Sequence, residues 1–246
     1  MVFKKEWFSE WFNSPYYHIL YQNRDEREAE FFLKKLVDKL NINKHQRLVD
    51  LACGKGRHAI FLNSLGFDVT GVDLAPKSID IAIQYANERL HFEVQDLRCL
   101  LFENSFDIAL NLFTSFGYFK SIEEDELVIQ NIHSILAPSG LLVIDFMNGE
   151  HVLQNMVERE SKTIDNIQFH IHRWVEKGFI YKKIEVQDKH EVFEFTEKVQ
   201  ALMLPDFERL LNTAFFSITH LFGNYELDPF NISKSDRLII IAKRNA

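Results

Sequence analysis

Arg47-Leu48-Val49-Asp50-Leu51-Ala52-Cys53-Gly54-Lys55-Gly56-Arg57-His58 is the stretch whose reading decides the fold. Arg47 to Leu51 is a short apolar run of strand length, and His58 to Leu65 carries helical periodicity ended by Gly66. Between them the glycines let the chain turn sharply and let a ligand approach the backbone, because no side chain intervenes. A glycine pair between a strand and a helix also occurs in ordinary turns, so its meaning rests on the residues downstream of it.

The same alternation continues outward. Asp68 to Val72, His91 to Val94, Phe106 to Leu112 and Leu141 to Phe146 read as strands, and Pro76 to Leu90 and the segment after Ser121 as helices. Ser121 and Glu124 have the spacing of a capping box. Strands alternating with helices imply a parallel sheet with crossover helices, an α/β core. Upstream, Asp25 to Leu40 has acids early, lysines late and Phe32, Leu36 and Leu40 along one stripe, an amphipathic helix. Before it, Trp7, Phe8, Trp11, Phe12, Tyr16, Tyr17 and Tyr21 recur partly at helical spacing. They fit either an aromatic helix docked on the core or a lid over a site.

After about His151 the pattern changes to long alternating segments, Ile164 to Val175, Phe179 to Val186 and Val192 to Met203. They read as an inserted antiparallel sheet, followed by a helix at Pro205 to Ala214 and two strands at Phe215 to Phe222 and Arg237 to Lys243. We therefore expect one domain over 1–246: an aromatic helical segment at 1–46, a cofactor core at 47–150, the inserted sheet at 160–204 and a completing helix and strands at 205–246.

Three successive strand ends would address three parts of one ligand. Asp50 ends the first strand, Asp73 closes the second where a carboxylate can accept from ribose hydroxyls, and Asp96 follows the third where it can read an adenine edge. Gly54, Gly56 and Ala59 also satisfy the loose dinucleotide spacing, so a nicotinamide cofactor competes. Against it, Asp50 places negative charge where a pyrophosphate would sit but where a sulfonium or ammonium group would be favoured. Nor does the chain carry a second mononucleotide half downstream.

With these motifs in order, the chain resembles the class I S-adenosylmethionine-dependent methyltransferases. Val49 to Gly56 is similar to their first motif, Gly71-Val72-Asp73 to the second, Gln95-Asp96-Leu97-Arg98 to the third, Phe106 to Phe113 to the fourth-strand motif and Leu136 to Leu142 to the turn before strand five. Ala52 departs from the usual first glycine. The resemblance implies a Rossmann-like methyltransferase fold, a mostly parallel seven-stranded sheet with helices on both faces. It also implies S-adenosyl-L-methionine as cofactor. Asp50 and the backbone of Ala52 to Gly56 would hold its methionine end, Asp73 the ribose, Asp96 and Leu97 the adenine; Leu74 would pack on the adenine and Leu112 present backbone to the amino-acid portion. Within the family the segment Phe113 to Phe119, the aromatic N-terminus and the inserted sheet look most like amino-sugar and glycine N-methyltransferases. Tyr118 and Tyr17 are then acceptor-side candidates for catalysis, and Tyr21 a candidate to pack on the cofactor, although each also fits a structural tyrosine.

Composition narrows the partners. The ordered motifs and an inserted sheet suited to covering a compact pocket put a small-molecule acceptor at N or O first, ahead of RNA or protein methylation, the RNA version being disfavoured by a formal net charge of -8, and of a non-catalytic cofactor-binding module. No apolar run reaches the roughly 20 residues of a membrane span, and two cysteines with no metal-ligand spacing suit a reducing, cytoplasmic setting. His170 and His172 share a strand face without a third ligand, which leaves no metal site.

Overall fold

The computed structural model describes residues 11–12, 14–22, 26–102 and 105–245. Trp7 and Phe8 of the aromatic run lie outside them. Contacts divide the chain into two units, one of residues 1–25 and 153–201 and one of residues 26–152 and 202–246.

The larger unit is a seven-stranded sheet. In chain order its elements are α2 (Glu26–Lys39), β1 (Arg47–Leu51), α3 (Arg57–Ser64), β2 (Asp68–Asp73), α4 (Pro76–Ala82), β3 (Leu90–Val94), β4 (Phe106–Asn111), α5 (Ile122–Ile135) and β5 (Leu136–Met147), then α7 (Leu204–Thr213), β10 (Phe216–Phe222) and β11 (Arg237–Arg244). The strand order is β10-β11-β5-β4-β1-β2-β3, parallel from β5 to β3 with β11 antiparallel to β5 and to β10. Alternate residues of the buried strands serve opposite faces. Leu48, Val69, Ile108, Val143 and Ile239 join Phe32, Leu33 and Leu36 of α2 and Ala59 and Leu62 of α3 in one core. On the other face Phe146 of β5 meets Phe207 of α7, ring centroids 5.2 Å apart. The strand order reverses between β1 and β4, and ligands of such sheets bind outside the carboxyl ends of the strands at that point.

The smaller unit holds α1 (Pro15–Leu20) and the antiparallel sheet β6 (Arg159–Ile164), β7 (Ile167–Glu176), β8 (Phe179–Asp188) and β9 (Glu191–Gln200). Ser14 caps α1 by accepting from the Tyr16 amide, and Pro15 opens the first turn where its missing N–H costs nothing. Ile167, Phe169, Ile171, Ile184 and Val186 on one face of this sheet bury Trp11 and Leu20. Helix α6 (Gly149–Gln154) runs where the chain passes from one unit to the other.

Four readings of local structure change. The segment Ile164 to Val175 is not one strand: Asp165 and Asn166 take φ of 52° and 63° and turn the chain between β6 and β7. Aspartate and asparagine tolerate that left-handed region better than other residues with a side chain. The helix expected to run to Leu90 ends at Ala82, passes through a 3-10 turn at Ile83–Tyr85 and stops where Asn87 accepts from the Arg89 amide. Strand β5 begins at Leu136, and the Pro138-Ser139-Gly140 turn sits inside it as a bulge against β4. The capping box does not form, because Glu124 accepts from the Lys120 amide and pairs with Arg98. Among the described residues no helix is long and apolar enough to cross a membrane.

Candidate active site

The carboxyl ends of β1, β2, β3 and β4 bring Asp50, the glycine loop, Asp73, Asp96, Leu97 and Asn111 to one rim of the larger unit. The loop itself is left-handed at three alternate positions, Ala52 (φ 59°), Gly54 (φ 56°) and Gly56 (φ 83°). Glycine takes this region freely, whereas Ala52 does so at a cost of roughly 1 kcal/mol. A Cβ at Gly54 would meet nothing within 4 Å, so the backbone there faces open space; one at Gly56 would strike the Phe92 ring at 2.7 Å.

Asp73 organises this loop from the neighbouring strand. Its Oδ2 accepts the Gly54 amide at 2.8 Å and its Oδ1 the Ala75 amide at 2.8 Å. Each oxygen retains a further lone pair for a hydroxyl. Asp96 accepts from Arg98 through both oxygens, with Nη2 at 2.7 Å from Oδ2. The same guanidinium reaches Glu124 at 2.7 Å, and its ring of partners holds Asp96 in place beside buried Leu97.

Asp50 is 1% exposed, and its Oδ2 accepts no hydrogen bond among the described residues. Burial first, then the charge of Asp73, push its carboxyl up to about 7, against the pull of the Ala59 amide and of Arg57. His58 Nδ1 lies 3.9 Å from that oxygen, too far for a hydrogen bond. The Arg57 guanidinium stands 3.1 Å from His58 Nε2, and since arginine only donates, the imidazole proton resides on Nδ1, toward Asp50. Burial, with Arg57 second, lowers the His58 pKa to about 3, so the imidazole is neutral and the two do not form an ion pair. Asn111 is also buried; its Nδ2 donates to the Leu51 carbonyl at 3.2 Å and its Oδ1 accepts nothing among the described residues.

Beyond β4, Leu112 is buried, and Phe113 and Thr114 are both left-handed at φ 57° and 60°. Phe113 stacks on the His58 ring at 4.9 Å and lies under Arg57 at 5.0 Å. Tyr118 is half-buried in this unit, as is Leu74 at the end of β2. Tyr17 and Tyr21 belong to the smaller unit, their rings 4.9 Å apart. There the Tyr21 hydroxyl donates to Glu197 at 2.6 Å and receives the Lys182 ammonium, and Trp11 donates to the same Glu197 oxygen at 2.6 Å. The sequence pattern does not single out Asn111, Asp145, Tyr225 or Arg237. Of these only Asp145 carries a visible signal, a carboxylate inside the apolar run Leu141-Leu142-Val143-Ile144-Asp145-Phe146.

Residues 42–198 match the profile of a family described as a methyltransferase domain. The chain belongs to that methyltransferase-domain family. Human glycine N-methyltransferase is 30% identical over 137 residues, a match that covers 48% of this chain and 46% of that enzyme, about half its length. An S-adenosylmethionine-dependent methyltransferase from Clostridium acetobutylicum superposes with a TM-score of 0.80 at 16% identity, covering 94% of this chain and 96% of that one. CalS10 from Micromonospora echinaspora, an amino pentose methyltransferase solved with S-adenosylmethionine bound, gives 0.70 at 18% identity over 94% and 98%. The fold is therefore that of the S-adenosylmethionine-dependent methyltransferases. This methyltransferase domain also fits that cofactor on its own geometry: a buried, unsatisfied carboxylate suits a cationic group, and the open backbone at Gly54 suits close approach.

Proposed function

We propose that the protein is an S-adenosylmethionine-dependent methyltransferase that methylates nitrogen on a small-molecule amine. The observation that carries this reading is the unpartnered Asp50 oxygen beside the open glycine loop. A buried carboxylate without a cation is costly, and a pyrophosphate there would make it costlier. An ammonium group would repay it.

Asp50 would hold the amino group of the methionine portion, and the backbone of Ala52 to Gly56 would line it. Asp73 would accept from the ribose, Asp96 and Leu97 would address the adenine edge, Leu74 would pack on its face and Leu112 would offer backbone to the amino acid. Bound S-adenosylmethionine supplies a methyl on positive sulfur, whose departure needs no acid. The chain's own task is then alignment and exclusion of water. An amine acceptor must present a free electron pair, and the proton it sheds afterwards needs an acceptor. Tyr118, half-buried in the larger unit, is the phenol assigned to this side. Tyr17 and Tyr21 lie together in the smaller unit, where Glu197 and Lys182 engage the Tyr21 hydroxyl.

The choice of nitrogen and of a small acceptor rests on the relatives' own activities, glycine N-methylation and amino pentose methylation. The test is incubation with methyl-labelled S-adenosylmethionine and a panel of glycine, sarcosine, amino sugars, phenols, RNA and protein. Label is expected on an amine. Label only on RNA or protein contradicts the small-molecule reading, and label only on phenols contradicts nitrogen.

A further inference from the structure

Strand β5 carries one acidic side chain in its apolar run, Asp145, and it is fully buried. Its Oδ2 accepts the Phe113 amide at 2.8 Å and the Tyr225 hydroxyl at 3.2 Å. Its Oδ1 accepts Arg237 Nε at 2.8 Å from β11, and its main-chain oxygen accepts the Thr114 amide at 2.9 Å. Arg237 Nη2 closes the set by donating to Thr114 Oγ1 at 3.0 Å. Three of these bonds, from the Phe113 and Thr114 amides and to Thr114 Oγ1, fall on two residues of left-handed backbone, of which Thr114 is β-branched and Phe113 bulky, the types that resist φ near +60° most, while Tyr225 and Arg237 Nε brace Asp145 itself.

A buried ion pair is poor evidence of stabilisation, since an apolar pair would join β5 and β11 as well. Such a pair is retained where it specifies one arrangement, and strained backbone persists only where its surroundings over-determine it. The arrangement specified here ends in the cofactor rim. Phe113, held by its amide, packs its ring between Tyr225 at 5.2 Å and His58 at 4.9 Å, and His58 is the side chain whose Nδ1 faces the unpartnered Asp50 oxygen.

We propose that Asp145, braced by Arg237 and Tyr225, is a positioning residue for the cofactor site: it holds the Phe113–Thr114 turn and, through the Phe113 ring, sets the His58 imidazole beside Asp50. Its effect on cofactor affinity rests on the S-adenosylmethionine reading above, whereas the coupling from Asp145 to His58 does not.

The experiment compares wild type, Asp145→Asn, Asp145→Asn with Thr114→Gly, and Tyr225→Phe. Asparagine leaves one acceptor oxygen and cannot serve the Phe113 amide and Arg237 together. Calorimetry should show S-adenosylmethionine bound at least tenfold more weakly by Asp145→Asn. Thr114→Gly should recover threefold or more of that loss, because glycine takes φ near +60° unaided. Tyr225→Phe keeps the ring and removes one donor, so it folds and should weaken binding about threefold. In the unliganded protein, nitrogen chemical shifts of the His58 imidazole and the Phe113 amide should both move in Asp145→Asn. Affinity within twofold of wild type in Asp145→Asn and Tyr225→Phe, or no recovery with Thr114→Gly, overturns the positioning role. Should wild type bind no S-adenosylmethionine, the proposed function falls, and the His58 shift alone decides the coupling: unmoved in Asp145→Asn, it overturns that too.

Discussion

Replacing Asp50 by asparagine should reveal a pH dependence that the native pair conceals. Folded Asp50 keeps its proton up to about pH 7, whereas an unfolded aspartate loses it near 4. Between those values the folded state holds one proton more, so this group's contribution to stability falls as pH rises, by about 1.4 kcal/mol per unit and roughly 4 kcal/mol in all. His58 does the opposite. Folded, it is neutral down to about pH 3, whereas unfolded histidine is protonated below about 6.5. Its contribution is therefore complete above that value and is lost as pH falls toward 3. From about pH 4 to 6.5 the two slopes cancel, and the pair leaves stability flat. Asp50→Asn removes the falling slope only. Urea unfolding of wild type and Asp50→Asn at pH 4.5, 5.5 and 6.5 should give a stability difference that shifts in favour of the variant by about 3 kcal/mol across the series. His58→Gln should drift the other way. Parallel curves for wild type and Asp50→Asn would refute the reasoning, since they would mean that folded Asp50 is already ionised at pH 4.5.

The same carboxyl links cofactor binding to protons. A cationic group beside Asp50 lowers its pKa, so calorimetric binding enthalpies of S-adenosylmethionine at pH 6 should depend on the ionisation heat of the buffer with a slope corresponding to about one proton released; a zero slope would count against Asp50 as the ammonium partner. The two loop glycines should separate. Gly56→Ala drives a Cβ into the Phe92 ring at φ 83° and should cost stability by about 1 to 3 kcal/mol, while Gly54→Ala enters open space, costs about 1 kcal/mol through its φ of 56°, and mainly blocks cofactor binding. In the smaller unit, Glu197→Ala strands the Trp11 indole and removes the acceptor of the Tyr21 hydroxyl, and should destabilise by about 2 kcal/mol and raise proteolytic cleavage near the N-terminus; unchanged protection would show that this network does not anchor the segment.

The core was legible because its strands are short apolar runs punctuated by Gly and Pro, and because Asp50 and Asp73 stand at strand ends beside the glycine loop. Strand β6 was missed for a physical reason: Arg-Glu-Ser-Lys-Thr-Ile pairs on one side only, at the edge of its sheet, and has no apolar face to write into the sequence. The Pro-Ser-Gly turn pointed to a strand beginning after it, whereas β5 absorbs the turn as a bulge. Asp145 and Arg237 are 92 positions apart, and only the antiparallel return of β11 along β5 brings them together. Nor does composition disclose that Phe113 and Thr114 are left-handed, since neither residue type favours it; their amides donate to Asp145 on another strand, a pairing that the linear sequence does not display.

Equilibrium titration of the purified protein with S-adenosylmethionine and, separately, with NADH tests the central claim most directly, run beside Asp50→Asn. The account predicts saturable binding of S-adenosylmethionine, no comparable binding of NADH, and at least tenfold weaker S-adenosylmethionine binding when Asp50 is replaced. A preference for NADH, or affinity for S-adenosylmethionine untouched by Asp50→Asn, would contradict it.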